Sequence, residues 1–214
     1  MCLPAACLFD LDGLLLDTEP LHGQAWSEAA RRFGAELSNQ QLRQLQGRRR
    51  LDCAEQVRRL LPRPVSVEEL LAVRQPIAER LLVAAPAMPG AEDLVRRCHQ
   101  LGIPMALATS SAAASVALKA APHPWLALIG ERIHGDDPEL HRGKPAPDIF
   151  LLAARRLGVP SSACWAFEDS LAGCRAALAA GCRVHVLPPP GEEGEGYPPE
   201  AVRLSSLAEV VLPA

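Results

Sequence analysis

The sequence has few aromatic residues, no long run of positive charge and no long apolar stretch. Aromatic residues make up 4% of its 214 residues while alanine is abundant, so we expect a core packed from small aliphatic side chains. The formal net charge is -3, and without a long basic run the chain offers no electrostatic footprint for a nucleic acid. No apolar stretch is long enough to span a membrane. We therefore expect a globular protein with neither nucleic-acid nor membrane partners, in keeping with its hydrophobic content of 49%.

The cysteines do not form a disulfide pattern. There are seven of them, an odd number, and no two are spaced as C-x-x-C. Several lie inside apolar runs, as small buried hydrophobic residues do. Disulfide frameworks of secreted domains use paired cysteines, whereas free thiols persist in a reducing compartment. We therefore expect a cytoplasmic protein.

Two aspartates follow the apolar run at residues 5–9. Asp10 and Asp12 are separated by one residue, so on an extended backbone their side chains point the same way. Two like charges at close range disfavour joint ionisation. A metal cation, a lysine or a role in which one group stays protonated can compensate. Because Asp-Gly is also common turn chemistry, the pair alone does not distinguish a site from a turn.

Three further segments favour a site. Thr109-Ser110-Ser111 follows the apolar run 105–108, Glu168-Asp169 follows the run 164–167, and Lys144 lies between them in the segment 143–148. Taken singly, these segments are typical of a helix N-cap, an acidic pair at a helix start and a surface lysine. Their joint occurrence, each acidic or hydroxyl segment directly after a predicted strand, indicates a single functional site.

The spacing of apolar residues predicts two kinds of structure. Residues 18–85 show helical spacing throughout, with Pro76 as a kink or a boundary, and no strand pattern interrupts them. The flanking segments alternate helices with short buried strands, which indicates a parallel sheet covered on both faces. Ligands of such sheets bind beyond the carboxyl ends of the strands, where the motifs lie. We predict an α/β core domain formed by residues 1–17 and 86–214, with a helical domain at 18–85 inserted into it.

With these four motifs in this order, the chain resembles the phosphohydrolases of the haloacid dehalogenase superfamily over nearly its whole length. The resemblance implies a Rossmann-like core with a parallel sheet and an inserted helical cap. Within the superfamily the chain is similar to the β-phosphoglucomutase-like subgroup. The segments 135–140 and 143–150 are most similar to the pseudouridine-5′-phosphatases and related sugar and glycerol phosphatases.

The chemistry of phosphoryl transfer suits these residues. Asp10 is the candidate nucleophile, which would form an aspartyl-phosphate, and Asp12 is the candidate general acid and base. The Thr109 hydroxyl can bond to a phosphoryl oxygen, and Lys144 is a compact cation that offsets the carboxylates and the transferring group. The resemblance implies the same roles, and we expect Ser110 to contact the substrate.

A magnesium ion is the expected cofactor. Glu168 and Asp169 are hard oxygen ligands of the kind that Mg²⁺ prefers, and this ion shares its coordination with a substrate phosphate. The resemblance adds that Asp12 reaches the metal through its backbone carbonyl. The predicted metal-binding residues are therefore Asp10, Asp12, Asp169 and Glu168.

The predicted cap carries candidate substrate contacts. The segment 46–50 lies where the β-phosphoglucomutase-like subgroup often has a substrate-contacting loop, which implies roles for Gly47 and Arg50. Helix phase leaves Arg48 and Arg49 open as alternatives to Arg50. His22 matches a position that the mutase uses, although it is equally typical of a helix surface. Where the mutase typically has a lysine before the glycine, this chain has Gln46.

Three functions follow from these patterns. The first is a Mg²⁺-dependent phosphatase that acts as a cytoplasmic monomer on a small-molecule phosphate ester. The second is a β-phosphoglucomutase-like sugar phosphomutase, which Gln46 disfavours and His22 mildly favours. The third is a catalytically idle binding or regulatory protein, which the complete set of motif residues argues against.

We expect Asp136 and Asp137 to have a structural role in a loop rather than to bind a metal, and we expect residues 188–199 to form a solvated loop without chemistry.

Overall fold

The computed structural model describes residues 3–45, 50–189 and 196–212. The chain divides into two compact units. One, the helical unit, comprises Thr18–Ala85, and the other, the core unit, comprises Met1–Asp17 together with Pro86–Ala214. In the part of the chain that is described, no helix combines the length and the apolarity needed to cross a bilayer.

In its described residues, 18–45 and 50–85, the helical unit has four α-helices: α1 (Glu19–Arg32), α2 (Asn39–Arg43), α3 (Arg50–Arg58) and α4 (Val67–Leu82). Its core consists of buried apolar residues from α1, α3, α4 and the connections, among them Trp26, Ala29, Cys53, Val57 and Leu70, and the partly buried Leu42 of α2 packs against them. Capping boxes at Ser38 and Ser66 begin α2 and α4, because each hydroxyl accepts a hydrogen bond from the third helical residue, whose own side chain bonds back. Pro76 lies inside α4 and is not a helix boundary, since buried residues on both sides of it, Leu70 and Ala78, hold the helix against the core.

The described residues of the core unit form a six-stranded sheet in which every neighbouring pair is parallel. The strands are β1 (Ala6–Phe9), β2 (Met105–Ala108), β3 (Glu131–Ile133), β4 (Cys164–Glu168), β5 (Arg183–Val186) and β6 (Val202–Arg203), in the spatial order β3-β2-β1-β4-β5-β6. The helices are α5 (Ala91–Gln100), α6 (Ala113–Ala120), α7 (Asp148–Arg156) and α8 (Leu171–Ala179). The predicted α/β class with a parallel sheet is confirmed.

Alternate residues of the strands face opposite layers of the core. One face presents small side chains, including Ala6, Ala106 and Ala166, to the apolar residues of α7 and α8. The other face carries larger rings, where Phe9 stacks on Phe167 and Phe167 stacks on His185, each pair with centroids 4.9 Å apart. The central strands are therefore buried on both sides, which explains their continuous apolar sequences.

The strand order brings the motifs to one edge of the sheet. β1 lies between β2 and β4, with Phe9 in register with Leu107 and Phe167. The backbone N–H of Asp10 donates to the carbonyl of Phe167 over 3.0 Å. Because all three strands run in the same direction, the residues after each of them emerge side by side.

Candidate active site

The carboxylate that follows β1 is paired with a lysine. Lys144 Nζ donates to Asp10 Oδ1 over 2.6 Å and also forms an ion pair with Glu168. All three side chains are buried. Burial raises the pKa of Asp10 to about 7, aided by the negative charges of Glu168 and Asp12 and opposed by Lys144. Burial disfavours the charged form of Lys144, but Asp10 and Glu168 outweigh this effect and its pKa lies above its ordinary value.

Three buried carboxylates form a cluster that can hold a metal ion. Asp10, Glu168 and Asp169 each offer a carboxylate oxygen, and these oxygens lie within 4.8 Å of one another. Lys144 balances only one of the three charges, and oxygen ligands are the ones that hard divalent cations such as Mg²⁺ prefer. The donor set therefore fits such a cation. The backbone carbonyl of Asp12 is not one of these carboxylate donors, and its part in metal binding stays a prediction.

Two residues next to the carboxylate cluster determine its geometry: Ser170, which follows β4, and Gly13, which follows β1. Ser170 Oγ donates to Glu168 Oε2 over 3.1 Å, which orients the Glu168 carboxylate. Gly13 adopts a φ of +84°, and a Cβ at this position would lie 2.1 Å from Asp169 Oδ2. Only glycine fits there, because it accepts the left-handed conformation and leaves space for the Asp169 carboxylate.

The second carboxylate of the pair has a different lysine. Lys119 Nζ lies 2.6 Å from each carboxylate oxygen of Asp12 and 2.8 Å from Ser111 Oγ, which itself donates to Asp12 Oδ2 over 2.7 Å. The Lys119 side chain is fully buried and that of Asp12 is 19% exposed. The motifs did not predict Lys119. A signal was present in the composition, since the chain has only two lysines, Lys119 and Lys144, against 20 arginines.

The segment after β2 combines one buried and one exposed hydroxyl. Thr109 is buried, and its Oγ1 accepts a hydrogen bond from the backbone N–H of Ser111 over 3.1 Å. Ser110 is exposed. Gly135 is packed against this segment so closely that a Cβ would lie 2.1 Å from the Ser110 carbonyl oxygen.

The two aspartates after Gly135 have structural partners. Asp136 Oδ1 accepts from the backbone N–H of Ala113 over 2.9 Å, at the start of α6. Asp137 forms an ion pair with Arg156 at 2.8 Å. Arg156 holds the pKa of Asp137 below its usual range. These contacts fasten the loop after β3 to α6 and α7.

Tyr197 corrects the expectation of a solvated loop at residues 188–199. It is buried, and its hydroxyl donates to the backbone carbonyl of Asp169 over 2.6 Å, next to the carboxylate cluster. Residues 190–195 lie outside the described part of the chain. The sequence contained a hint, because this is the single tyrosine of the chain and it lies in an otherwise polar segment.

The remaining predicted site residues belong to the helical unit. His22 Nδ1 lies 2.8 Å from Arg74 Nη2, and the guanidinium of Arg74 lies over the ring of Trp26, 4.8 Å from its centroid. Burial lowers the pKa of Arg74 to about 10. Arg50 is exposed and donates to Gln75 Oε1 over 3.3 Å. The predictions for Gln46, Gly47, Arg48 and Arg49 lie outside the described residues.

The chain is similar in sequence to known hydrolases and phosphatases. Residues 4–181 match the sequence model of the haloacid dehalogenase-like hydrolases. A probable pseudouridine-5′-phosphatase of Drosophila melanogaster is 40% identical over 207 residues, which cover 95% of this chain and 90% of that protein. The (DL)-glycerol-3-phosphatase 2 of Arabidopsis thaliana is 34% identical over 86% of this chain and 79% of its own length.

The fold is also similar to that of solved structures. The crystal structure of CbbY from Rhodobacter sphaeroides in complex with phosphate superimposes with a TM-score of 0.79. It is 30% identical in sequence, and the match covers 96% of both chains.

Proposed function

The chain belongs to the haloacid dehalogenase-like hydrolase family, and on this basis we propose that it is a phosphatase that hydrolyses small phosphomonoesters through an aspartyl-phosphate on Asp10. The observation that carries the proposal is the geometry around Asp10. This carboxylate lies at the end of β1, 2.6 Å from the Lys144 ammonium and within one cluster with Glu168 and Asp169. The similarity to a probable pseudouridine-5′-phosphatase and to a glycerol-3-phosphatase supports a small phosphate ester as substrate.

In the first half of the reaction, Asp10 attacks the phosphorus of the substrate. The bond between phosphorus and the ester oxygen breaks, and the departing oxygen takes a proton from Asp12. Lys144 offsets the charge of the nucleophile and of the transferring group, and the Thr109 hydroxyl donates to a phosphoryl oxygen. Ser110, as the exposed member of its segment, contacts the substrate.

In the second half, water attacks the phosphorus of the aspartyl-phosphate. Asp12, now a carboxylate, takes a proton from this water while the bond between phosphorus and Asp10 breaks. Inorganic phosphate leaves and the original Asp10 carboxylate is restored. A single pair of carboxylates thus supplies both the nucleophile and the group that moves the protons.

We further propose that the metal is Mg²⁺, held by the carboxylates of Asp10, Glu168 and Asp169 and by the backbone carbonyl of Asp12. When bound, this ion supplies positive charge next to the phosphoryl oxygens and neutralises part of the carboxylate cluster. Tyr197 supports the site by bonding to the backbone of Asp169.

The helical unit is proposed to act as a cap that selects the substrate. Arg50 would bind phosphate or hydroxyl groups of the substrate through its planar guanidinium, and His22 and Gly47 are further candidate substrate contacts. Arg50→Ala should then reduce kcat/KM for the natural substrate more than for p-nitrophenyl phosphate, which depends on the core machinery alone. Equal losses on both esters would remove Arg50 as a specificity residue.

We also propose a cytoplasmic monomer. The cysteines among the described residues, Cys7, Cys53, Cys98, Cys164, Cys174 and Cys182, are free and buried, which supports a reducing compartment. Light scattering on the purified protein tests the monomer, and imaging of the tagged chain in cells tests the location.

The decisive experiment is a phosphate-release screen over nucleotide, sugar and polyol phosphates with Mg²⁺ present. The proposal expects turnover of at least one ester by the natural chain and none by a folded Asp10→Asn variant. A sugar 1-phosphate in the same screen, with analysis of all products, separates hydrolysis from transfer to a second hydroxyl. Absence of phosphate release from every ester would reject the phosphatase.

A further inference from the structure

Asp12 is held in a closed triangle of polar groups. The Lys119 ammonium contacts both carboxylate oxygens of Asp12 at 2.6 Å and the Ser111 hydroxyl at 2.8 Å, and this hydroxyl donates to Asp12 Oδ2 over 2.7 Å. Asp12 Oδ1 therefore accepts a hydrogen bond from Lys119, and Oδ2 accepts from both Lys119 and Ser111. Such charge-assisted bonds fix a side chain far better than a single contact does.

The position of Lys119 is itself fixed. The residue lies in the last turn of α6, and side chains of a helix lean towards its N-terminus, which directs the ammonium back towards Ser111. The start of α6 is fastened by Asp136, which accepts from the N–H of Ala113, and by Gly135, whose N–H donates to the Ser111 carbonyl over 2.9 Å. The contacts that hold α6 in place therefore also fix the position of the Lys119 ammonium.

A fully buried ammonium is unfavourable unless its partners compensate for lost water. A chain that uses arginine at 20 of its 22 basic positions nevertheless has lysine at two buried sites, one beside Asp10 and one beside Asp12. The compact ammonium fits between two oxygens and a hydroxyl, whereas the planar guanidinium needs more room. Each carboxylate of the D-x-D pair therefore has a lysine of its own.

We propose that Lys119 is a positioning residue that holds the Asp12 carboxylate where it takes the proton of the attacking water during hydrolysis of the aspartyl-phosphate. This role rests on the proposed function. In that step the water oxygen bonds to phosphorus, the water proton goes to Asp12, and the bond between phosphorus and Asp10 breaks. Attack of Asp10 on an aryl ester needs no donated proton, because the phenolate leaves unaided. Lys119 therefore matters for the second step and little for the first with such a substrate.

The test is Lys119→Met with p-nitrophenyl phosphate and Mg²⁺. For this ester kcat/KM reports the attack by Asp10, whereas kcat includes hydrolysis of the aspartyl-phosphate. We expect kcat to fall at least about tenfold while kcat/KM stays within about threefold, so that KM falls with kcat. Rapid mixing should show a burst of p-nitrophenol that approaches one equivalent of enzyme before the slow steady state.

Two further variants keep the test decisive if Lys119→Met folds poorly. Ser111→Ala removes one donor without leaving a buried charge, and it should give the same pattern with a smaller fall in kcat. In an Asp12→Asn background, Lys119→Met should lower kcat no further, because the group that it positions is already gone.

The control is Arg96→Met, which removes an exposed ion pair with Glu92 on α5 and should leave both kcat and kcat/KM unchanged.

Equal falls in kcat and kcat/KM without a burst, for Lys119→Met or for Ser111→Ala, would overturn the positioning role and leave Lys119 as a structural residue. An additional loss from Lys119→Met in the Asp12→Asn background would overturn it as well. If the natural chain released no phosphate from p-nitrophenyl phosphate or any other ester, the proposed function would fail first and the role of Lys119 with it. The two failures are therefore distinguishable.

Discussion

The carboxyl group of Glu168 fills the space that a side chain on Gly173 would need. A Cβ at Gly173 would lie 2.0 Å from Glu168 Cδ and 2.1 Å from both carboxylate oxygens. Gly173 lies in the first turn of α8, and its N–H donates to Ser170 Oγ, which in turn bonds to Glu168. The missing side chain of one helix residue thus permits a buried carboxylate at the end of β4.

Gly173→Ala should destabilise the protein and impair activity. Overpacking by one methyl group costs about 1–3 kcal/mol, and here the group that must move is a proposed metal ligand. Gly23→Ala is the matched control, because Gly23 also lies in a helix, α1, and a Cβ there would meet no atom of the described residues within 4 Å apart from its chain neighbours and the backbone of its own helix. This control should raise the free energy of unfolding by about 0.5–1 kcal/mol through helix propensity. Denaturant unfolding of both variants measures the difference, and a neutral Gly173→Ala would contradict the packing argument.

Asp10→Asn should abolish turnover and leave the fold intact. The amide cannot attack phosphorus, so we expect a loss of at least about 1,000-fold in kcat. Removing one charge from a carboxylate cluster should not lower the free energy of unfolding. Asp93→Asn, at an exposed position of α5, should retain full activity. Phosphate release and circular dichroism on both variants check these outcomes, and an active, folded Asp10→Asn protein would reject the nucleophile.

Chelation should remove activity and added Mg²⁺ should restore it. Ca²⁺ should support activity poorly, because it takes more ligands in a looser geometry and would misplace the phosphate. Mg²⁺ should also raise the midpoint of thermal unfolding, since an ion that binds only the folded state stabilises it. Asp169→Asn should raise the Mg²⁺ concentration for half-maximal activity at least about tenfold. Full activity in excess chelator would disprove the metal site.

His185 should make the protein less stable in acid. Burial between the rings of β4 lowers its pKa from 6.5 to about 4, and Arg183 contributes in the same direction. Between these two values the unfolded chain binds a proton that the folded one does not, so stability falls as the pH drops from 6.5 towards 4. The contribution amounts to about 3 kcal/mol.

His185→Phe should remove this part of the pH dependence, whereas His99→Gln, on the exposed surface of α5, should retain it. Urea unfolding between pH 4 and pH 7.5 measures both slopes. Identical slopes in the natural chain and in His185→Phe would show that His185 does not contribute to the loss of stability in acid.

Much of the fold could be predicted because the sequence patterns that indicate it each lie within one short segment. The central strands are short apolar runs, and each ends in residues of distinctive chemistry, so Asp10, Thr109 and Glu168 could be expected at one edge of a parallel sheet. The edge strands β3 and β6 were not predicted, since two or three residues carry no detectable alternation.

The parts that were missed depend on tertiary contacts. Lys119 lies on a helix that was not predicted, and its partner Asp12 is 107 residues away in the chain. Tyr197 follows a polar segment, and its bond to Asp169 spans 28 residues. In both cases the residue type was visible, but the direction of the side chain was set only when the helices and strands packed together. Glycine at position 13 is explained in the same way, because the carboxylate that occupies the space of its Cβ belongs to Asp169, far away in the sequence.

The scarcity of lysine has a consequence for the chemistry of the surface. Both lysine side chains are buried, with exposed fractions of 0% at Lys119 and 7% at Lys144, so the positive charge of the exterior is carried by arginine. Acylating reagents and enzymes that modify lysine ε-amines find no accessible target on the folded chain. The two ε-amines become reactive only when the structure around them opens, so acylation located at Lys119 or Lys144 reports a loss of active-site integrity.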